Sequence, residues 1–351
     1  MGERILPGTF TLRKTEVRGS SDLASVSVVV PAFNEESQIA SCLESILESH
    51  YAVVEIIVVD DNSTDKTVEV ASKYPVRIIR RGSRGERCVA RNDGIQAAQG
   101  EIVAFVDADC TVDPDWLEIL ISDFTGERIV GVGGVVLTKE SALVAKYRSF
   151  IQKEPYSESN KPVEASCLPG GNSCYRSEVL KDIGGFDPAF FRLECLDLGL
   201  RLRAKGYSLV GDPRAVVWHT HEGSLKRWLE GEYGSGLSAI SFLNLRKTHG
   251  IMATQLRQAA FMVFLILILA TLAGILPYVI TLSVGAVGFL FESIRAAYRV
   301  VDAVAHYKNL KYAVMLPIEL LLRAAVYVGY AVALLTAIAK FVARLGQLLI
   351  P

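Results

Sequence analysis

Residues 26–65 read VSVVVPAFNEESQIASCLESILESHYAVVEIIVVDDNSTD, and the alternation within this stretch decides the fold. A β-branched run, VSVVV (26–30), gives way to apolar residues at helical spacing, and a second β-branched run, EIIVV (55–59), follows. The same alternation continues through VRIIR (76–80) and EIVAFV (101–106), with DKTVEVASKY and GERCVARNDGIQAAQG between the runs. Strand, helix, strand, helix predicts an α/β fold, a mostly parallel sheet covered by helices on both faces. In such sheets ligands bind beyond the carboxyl ends of the strands, so the strand exits are the place to look.

Those exits are polar. PAFNEE follows the first strand, with Pro31 rigid and Asn34 and Glu35 at the helix entrance. DDNSTD follows the second: Asp60 and Asp61 end the strand, and Ser63, Thr64 and Asp65 are able to cap the next helix. DADC follows the fourth, which sets Asp107 and Asp109 at one strand exit with only Ala108 between them. Turn and cap chemistry accounts for DDNSTD as well as ligand binding does. It accounts less well for Asp107 and Asp109, because two close carboxylates repel each other and a divalent cation is the usual remedy. Oxygen donors suit Mn2+ or Mg2+, which in turn bind diphosphate oxygens. No Gly-x-x-x-x-Gly-Lys-Ser/Thr occurs and no Gly-x-Gly-x-x-Gly follows the first strand, which argues against a P-loop and a dinucleotide site. Arg84, Arg87 and Arg91 lie in the third crossover, and Arg91 is placed to reach the same edge.

The rest of the 351-residue chain has another character. Hydrophobic residues make up 50% of it and mean hydropathy is positive. Residues 259–291 contain no charged side chain, and a second apolar stretch runs over about 313–339. A membrane span needs about 20 predominantly apolar residues. These stretches predict hydrophobic helices over 259–276, 278–292 and 313–339, divided at Pro277 and joined by a basic interfacial helix over 294–311. The expected organisation is an arm (1–24), a sheet domain (25–225), a juxtamembrane connection (226–257) and a membrane domain (258–351). The N-terminal residues lack the apolar core of a signal peptide, and the six cysteines contain no Cys-x-x-Cys pair. Both features predict a cytosolic catalytic domain on the cell membrane. A net charge of −1 without a basic block argues against nucleic acid as a partner.

The motif series resembles glycosyltransferase family 2, with its GT-A fold. The segments VSVVVPAFNEE, VVDDNSTDKT, GERCVARNDGIQAAQGEIVAFVDADC, GGNSCYRSEVLKDIGGFD and ECLDLGLRLRAKGY stand in that family's order across residues 26–221. The resemblance implies that Pro31, Ala32, Asn34 and Glu35 hold the nucleotide, that Asp60 and Asp61 read its base, and that Arg91, of the Ala-Arg-Asn signature, faces the donor. It implies that Asp107, Ala108 and Asp109 form the metal motif, with Asp109 the direct ligand, and that Gly170, Gly171 and Asn172 belong to the acceptor loop. His221 or His219, in WHTHEGS, completes the metal shell or binds the diphosphate; a buried structural histidine is the other reading. The implied reaction is inverting transfer from a UDP- or GDP-linked sugar. The apolar tail directs it to a lipid-linked acceptor, in the synthesis of a glycolipid, a lipid-linked oligosaccharide or a surface polysaccharide.

RLECLDLGLRL (192–202) departs from the family, which places an Asp, commonly the base, where this chain has Cys195. A thiol is a poor substitute at neutral pH. Three readings stand: Glu194 takes over as base with Asp197 orienting it or capping the helix; the acceptor is a polyisoprenyl phosphate that needs no base; or the chain is a non-catalytic sugar-nucleotide-binding or assembly subunit. A nucleotidyltransferase is a weaker rival, because it lacks the glycine-rich, lysine-containing loop at its N-terminus.

Overall fold

The computed structural model describes residues 24–139, 143–190 and 193–220, together with 295–303, 306, 315–318 and 320. Strands β1 (Val26–Ala32), β2 (Glu55–Asp60), β3 (Arg77–Arg80) and β4 (Ile102–Phe105) alternate with helices α1 (Ile39–Leu47), α2 (Thr67–Ala71) and α3 (Glu86–Ala97). These four strands pair in parallel, in the order β3-β2-β1-β4. Their side chains alternate between two cores, as the period of two along a strand requires. Val28, Val30, Ile56, Val58 and Ala104 face α1, whose buried Ile39, Cys42, Leu43 and Ile46 recur at helical spacing. Val29, Ile57, Val59, Val103 and Phe105 face the opposite layer, with Ala90 and Ile95 of α3.

Beyond β4 the sheet becomes mixed. The remaining elements are β5 (Cys110–Val112), α4 (Trp116–Ser122), β6 (Ile129–Leu137), α5 (Leu143–Ile151), β7 (Val163–Ala165), β8 (Ser173–Arg176), α6 (Ser177–Asp182), α7 (Glu194–Ala204) and β9 (Ser208–His219). β8 is antiparallel to both β4 and β6, so β4 and β6 run the same way, and β9 is parallel to β6. The carboxyl ends of β1, β2, β4, β6 and β9 therefore open on one edge of the sheet. β5 and β7 both pair with β9, β5 at its end and β7 at its start.

The chain divides into two compact units. One comprises Met1–Glu140, Gln152–Pro188 and Glu194–His221 and holds the sheet; the other comprises Ser141–Ile151, Ala189–Leu193 and Glu222–Pro351. In the second, α5 and residues 295–303 are helical, and the Phe150 and His306 rings lie 5.1 Å apart. Among the described residues no helix is long and apolar enough to cross a membrane. The expected helices over 259–276 and 278–292 and the juxtamembrane segment lie outside the described residues, as do nearly all of the arm and most of 313–339.

Candidate active site

The first two strand exits are bound to each other. Asn34 takes a left-handed backbone, φ 57°, a conformation that Asn tolerates better than most residues. Its side-chain oxygen accepts from the Thr64 N–H at 2.8 Å, and its own N–H donates to Ser63 Oγ at 2.9 Å. The Glu35 N–H donates to Thr67 Oγ1 at 2.7 Å, and Lys66 N–H donates to Glu36 Oε2 at 2.9 Å. Ser63 and Thr64 thus clamp one loop to the other instead of capping α2, while Asp65 accepts from the N–H groups of both Glu36 and Thr67. Pro31 and Ala32 are the last residues of β1, in register with Val59 and Asp60.

Asp60 is fully buried and accepts the Ser63 N–H at 3.2 Å. Asp61 is held by the Arg81 guanidinium and by the Gly85 N–H at 2.9 Å, and Arg81 is held in turn by Asp93 at 2.8 Å. This network pins the loop that leads into α3. Arg84 in that loop stacks over Phe33 of the first loop, 4.1 Å from the ring centre. Phe33 lies within PAFNEE, yet nothing in sequence order pairs it with Arg84.

The third exit carries Asp107, Ala108 and Asp109. Asp107 and Asp109 have part-exposed carboxylates, and Ala108 between them is buried. β5 begins at Cys110, which lies opposite His219 in the antiparallel pairing of β5 with β9. His219 Nε2 comes within 3.2 Å of Asp109 Oδ2. Burial acts to raise the Asp109 pKa, but the hydrogen bond and charge of His219 outweigh it and hold the carboxyl below its ordinary value. One potential ligand atom from each of Asp109, Cys110 and His219 falls within 4.8 Å of the others. A carboxylate and an imidazole converging at a strand exit fit a divalent cation. Asp107 is committed differently, because Oδ1 accepts from Arg91 at 2.8 Å. His221 lies outside the described residues.

The LPGGN segment closes against this exit. Gly170 and Gly171 have a steric reason: a Cβ on Gly170 would stand 2.6 Å from Arg91 Nη2, and one on Gly171 would stand 2.8 Å from Asp107 Oδ2. Asn172 follows them with its side chain turned into the sheet. Its amide is fully buried and donates to the Val135 carbonyl at 2.9 Å and the Ala215 carbonyl at 3.0 Å, where the β6–β9 register shifts. Its amide nitrogen thereby serves the sheet, while Gly170 and Gly171 pack against Arg91 and Asp107.

At the start of α7, Glu194 accepts from Arg91 Nη1 at 3.1 Å. Cys195 is half-buried, and burial, reinforced by Glu194, pushes its thiol well above the usual value. The thiol therefore stays protonated at neutral pH. Asp197, expected to orient Glu194 or cap the helix, lies in the first turn of α7, where its carboxylate is fully buried and bound at 2.7 Å to Arg201, one turn on. Arg201 also donates to the carbonyls of Ile183 and Gly185, so this pair ties α7 to the turn after α6. Asn92 secures the same turn, donating to the Phe186 carbonyl at 2.7 Å and accepting its N–H at 2.8 Å.

Residues 27–184 match the family model described as Glycosyl transferase family 2. Glycosyltransferase AglE of Haloferax volcanii is 30% identical over 177 residues, 48% of this chain and 57% of its own length. Beta-monoglucosyldiacylglycerol synthase of Nostoc sp. is 29% identical over 248 residues, 62% of this chain and 50% of its own. The chain thus spans about half the length of the curated relatives it matches. Among solved structures, the mannosyltransferase PcManGT of Pyrobaculum calidifontis, in complex with GDP-Man and Mn2+, superposes with a TM-score of 0.58. It is 18% identical, with 89% of this chain and 88% of its own covered, and the likeness is one of fold. Residues 27–184 are thus similar to family 2 glycosyltransferases, and the mixed sheet flanked by helices is similar in fold to that mannosyltransferase.

Proposed function

We propose that the chain is a metal-dependent, inverting glycosyltransferase that moves a sugar from a UDP- or GDP-linked donor to a hydroxyl of a lipid-linked acceptor. The observation that carries this reading is the convergence of Asp109 and His219 at one strand exit, with the carboxylate of Glu194 set across Arg91 from Asp107. The clamped loops around Asn34 and Asp61 would seat the nucleoside, with Phe33 as the apolar surface there. Asp109 and His219 would hold Mn2+ or Mg2+, which offsets the charge that builds on the departing diphosphate. Glu194 takes the proton of the acceptor hydroxyl as its oxygen forms the new bond to the anomeric carbon. The bond from that carbon to the diphosphate breaks, and the nucleoside diphosphate leaves with the bonding pair. Cys195 takes no part, because its thiol stays neutral.

Two similar proteins support the substrates. The Pyrobaculum protein was solved with GDP-Man and Mn2+, and the Nostoc relative is a glucosyldiacylglycerol synthase. Support for membrane attachment comes from the charge-free stretch 259–291, which is long enough to span. The arrangement proposed is a cytosolic domain tethered beside its acceptor.

The test is a screen of radiolabelled UDP- and GDP-sugars with the full chain, Mn2+ and membrane lipid extract, counting label that enters the organic phase. Transfer to an acid-stable product is expected. An acid-labile product would show a polyisoprenyl phosphate acceptor instead, and nucleotide binding without any transfer would make the chain a non-catalytic subunit.

A further inference from the structure

We infer that Arg91 is a positioning residue that links the metal-motif carboxylate Asp107 to the acceptor-side carboxylate Glu194, rather than a contact for the donor's phosphates. The inference rests on the glycosyl-transfer reading and adds a role for a residue that the reading leaves open. The guanidinium is 1% exposed, and its two terminal nitrogens are divided: Nη2 donates to Asp107 Oδ1 at 2.8 Å, and Nη1 to Glu194 Oε1 at 3.1 Å. The guanidinium is closed off from solvent, so a donor diphosphate would have to open the packing around it to reach it.

The group is held from several sides. The Phe186 ring lies 5.4 Å from the guanidinium carbon, and Asn92 fixes the backbone of that same residue. Gly170 packs so close to the guanidinium that a methyl group there would collide with it, and Gly171 packs in the same way against Asp107. The glycine pair, read from sequence as an acceptor feature, is thus also the floor of this bridge. A guanidinium is charged at any ordinary pH, and here two carboxylates flank it. A planar fork can serve two carboxylates on different elements at once, whereas a lysine is a single point of charge. The bridge therefore sets the distance between the group beside the leaving diphosphate and the proposed base.

The experiment compares Arg91→Gln, Arg91→Lys, Glu194→Gln and the double variant Arg91→Gln/Glu194→Gln in the full chain. Three quantities are read: UDP and GDP affinity by calorimetry, thermal melting, and turnover with the donor that the screen identifies. Arg91→Gln is expected to keep nucleotide affinity within about threefold while kcat falls about 100-fold, the scale of a misplaced catalytic group. The double variant should be no slower than Glu194→Gln alone, and Arg91→Lys should recover part of the loss. A fall in nucleotide affinity with kcat preserved would overturn the inference by making Arg91 a donor contact, and so would effects that multiply in the double variant. Melting gives a second reading: the Arg91 and Glu194 substitutions should be non-additive, and simple addition overturns the bridge whatever the activity. A wild-type chain that transfers nothing from any donor would overturn the glycosyl-transfer reading and the catalytic half of the bridge, while the melting cycle would still decide the contact itself.

Discussion

Cys195 occupies the position where the family resemblance places an acidic base, and its chemistry decides how the proton is handled. Burial holds the thiol well above its ordinary pKa, with Glu194 adding to the effect, so near neutral pH it carries no negative charge and accepts no proton. The neighbouring Glu194 presents a carboxylate fixed by Arg91. Cys195→Ser is therefore expected to leave turnover within about threefold, whereas Glu194→Gln should lower kcat by about 100-fold or more, the span of general-base catalysis. Steady-state kinetics on the two variants checks this, and a Cys195→Ser variant as impaired as Glu194→Gln would make the thiol the working group.

β9 positions the site from behind. It reaches from β7 at its start to β5 at its end, and brings His219 opposite Cys110 and beside Asp109. Its register against β6 shifts near residues 211–216, and Asn172 fills that irregularity with two bonds to backbone carbonyls. Asn172→Ala strands both carbonyls in a buried place and is expected to cost about 2–4 kcal/mol, measured by urea denaturation. An unchanged midpoint would show that the sheet tolerates the shift without the amide. Asp107 and Asp109 were legible because they lie directly behind a β-branched run, and the parallel order of β1 to β4 followed from the alternation. The Arg91–Glu194 pair joins residues 103 apart, and the nearness of His219 to Asp109 depends on an antiparallel register between β5 and β9. Neither has a local signal. Asn172 and Asp197 were legible as polar residues in family motifs, but which way each side chain turns depends on packing that spacing does not encode.

The sheet unit also carries carboxyl groups whose burial makes its stability depend on pH. Burial raises Glu154, which accepts the Val136 N–H, to about 7. A carboxyl raised on folding favours the folded state most when protonated. Its contribution is complete below the unfolded value near 4.5 and is lost as pH rises through about 7. Glu154→Gln should therefore flatten the fall in stability between pH 5 and pH 8 by about 2 kcal/mol, read from denaturation midpoints at the two pH values. An undiminished slope would place the titration elsewhere. The proposed function asks more of the chain, because it would bring a donor site at the sheet edge to a lipid acceptor. The most direct measurement is transfer of labelled sugar from UDP- and GDP-linked donors into membrane lipid, by the wild-type chain and by Asp109→Ala side by side in Mn2+. The account predicts lipid-soluble label with the wild-type chain and at least a 100-fold loss with Asp109→Ala. Label that appears equally with both would contradict the site, and no label from any donor with the wild-type chain would contradict the glycosyl-transfer function.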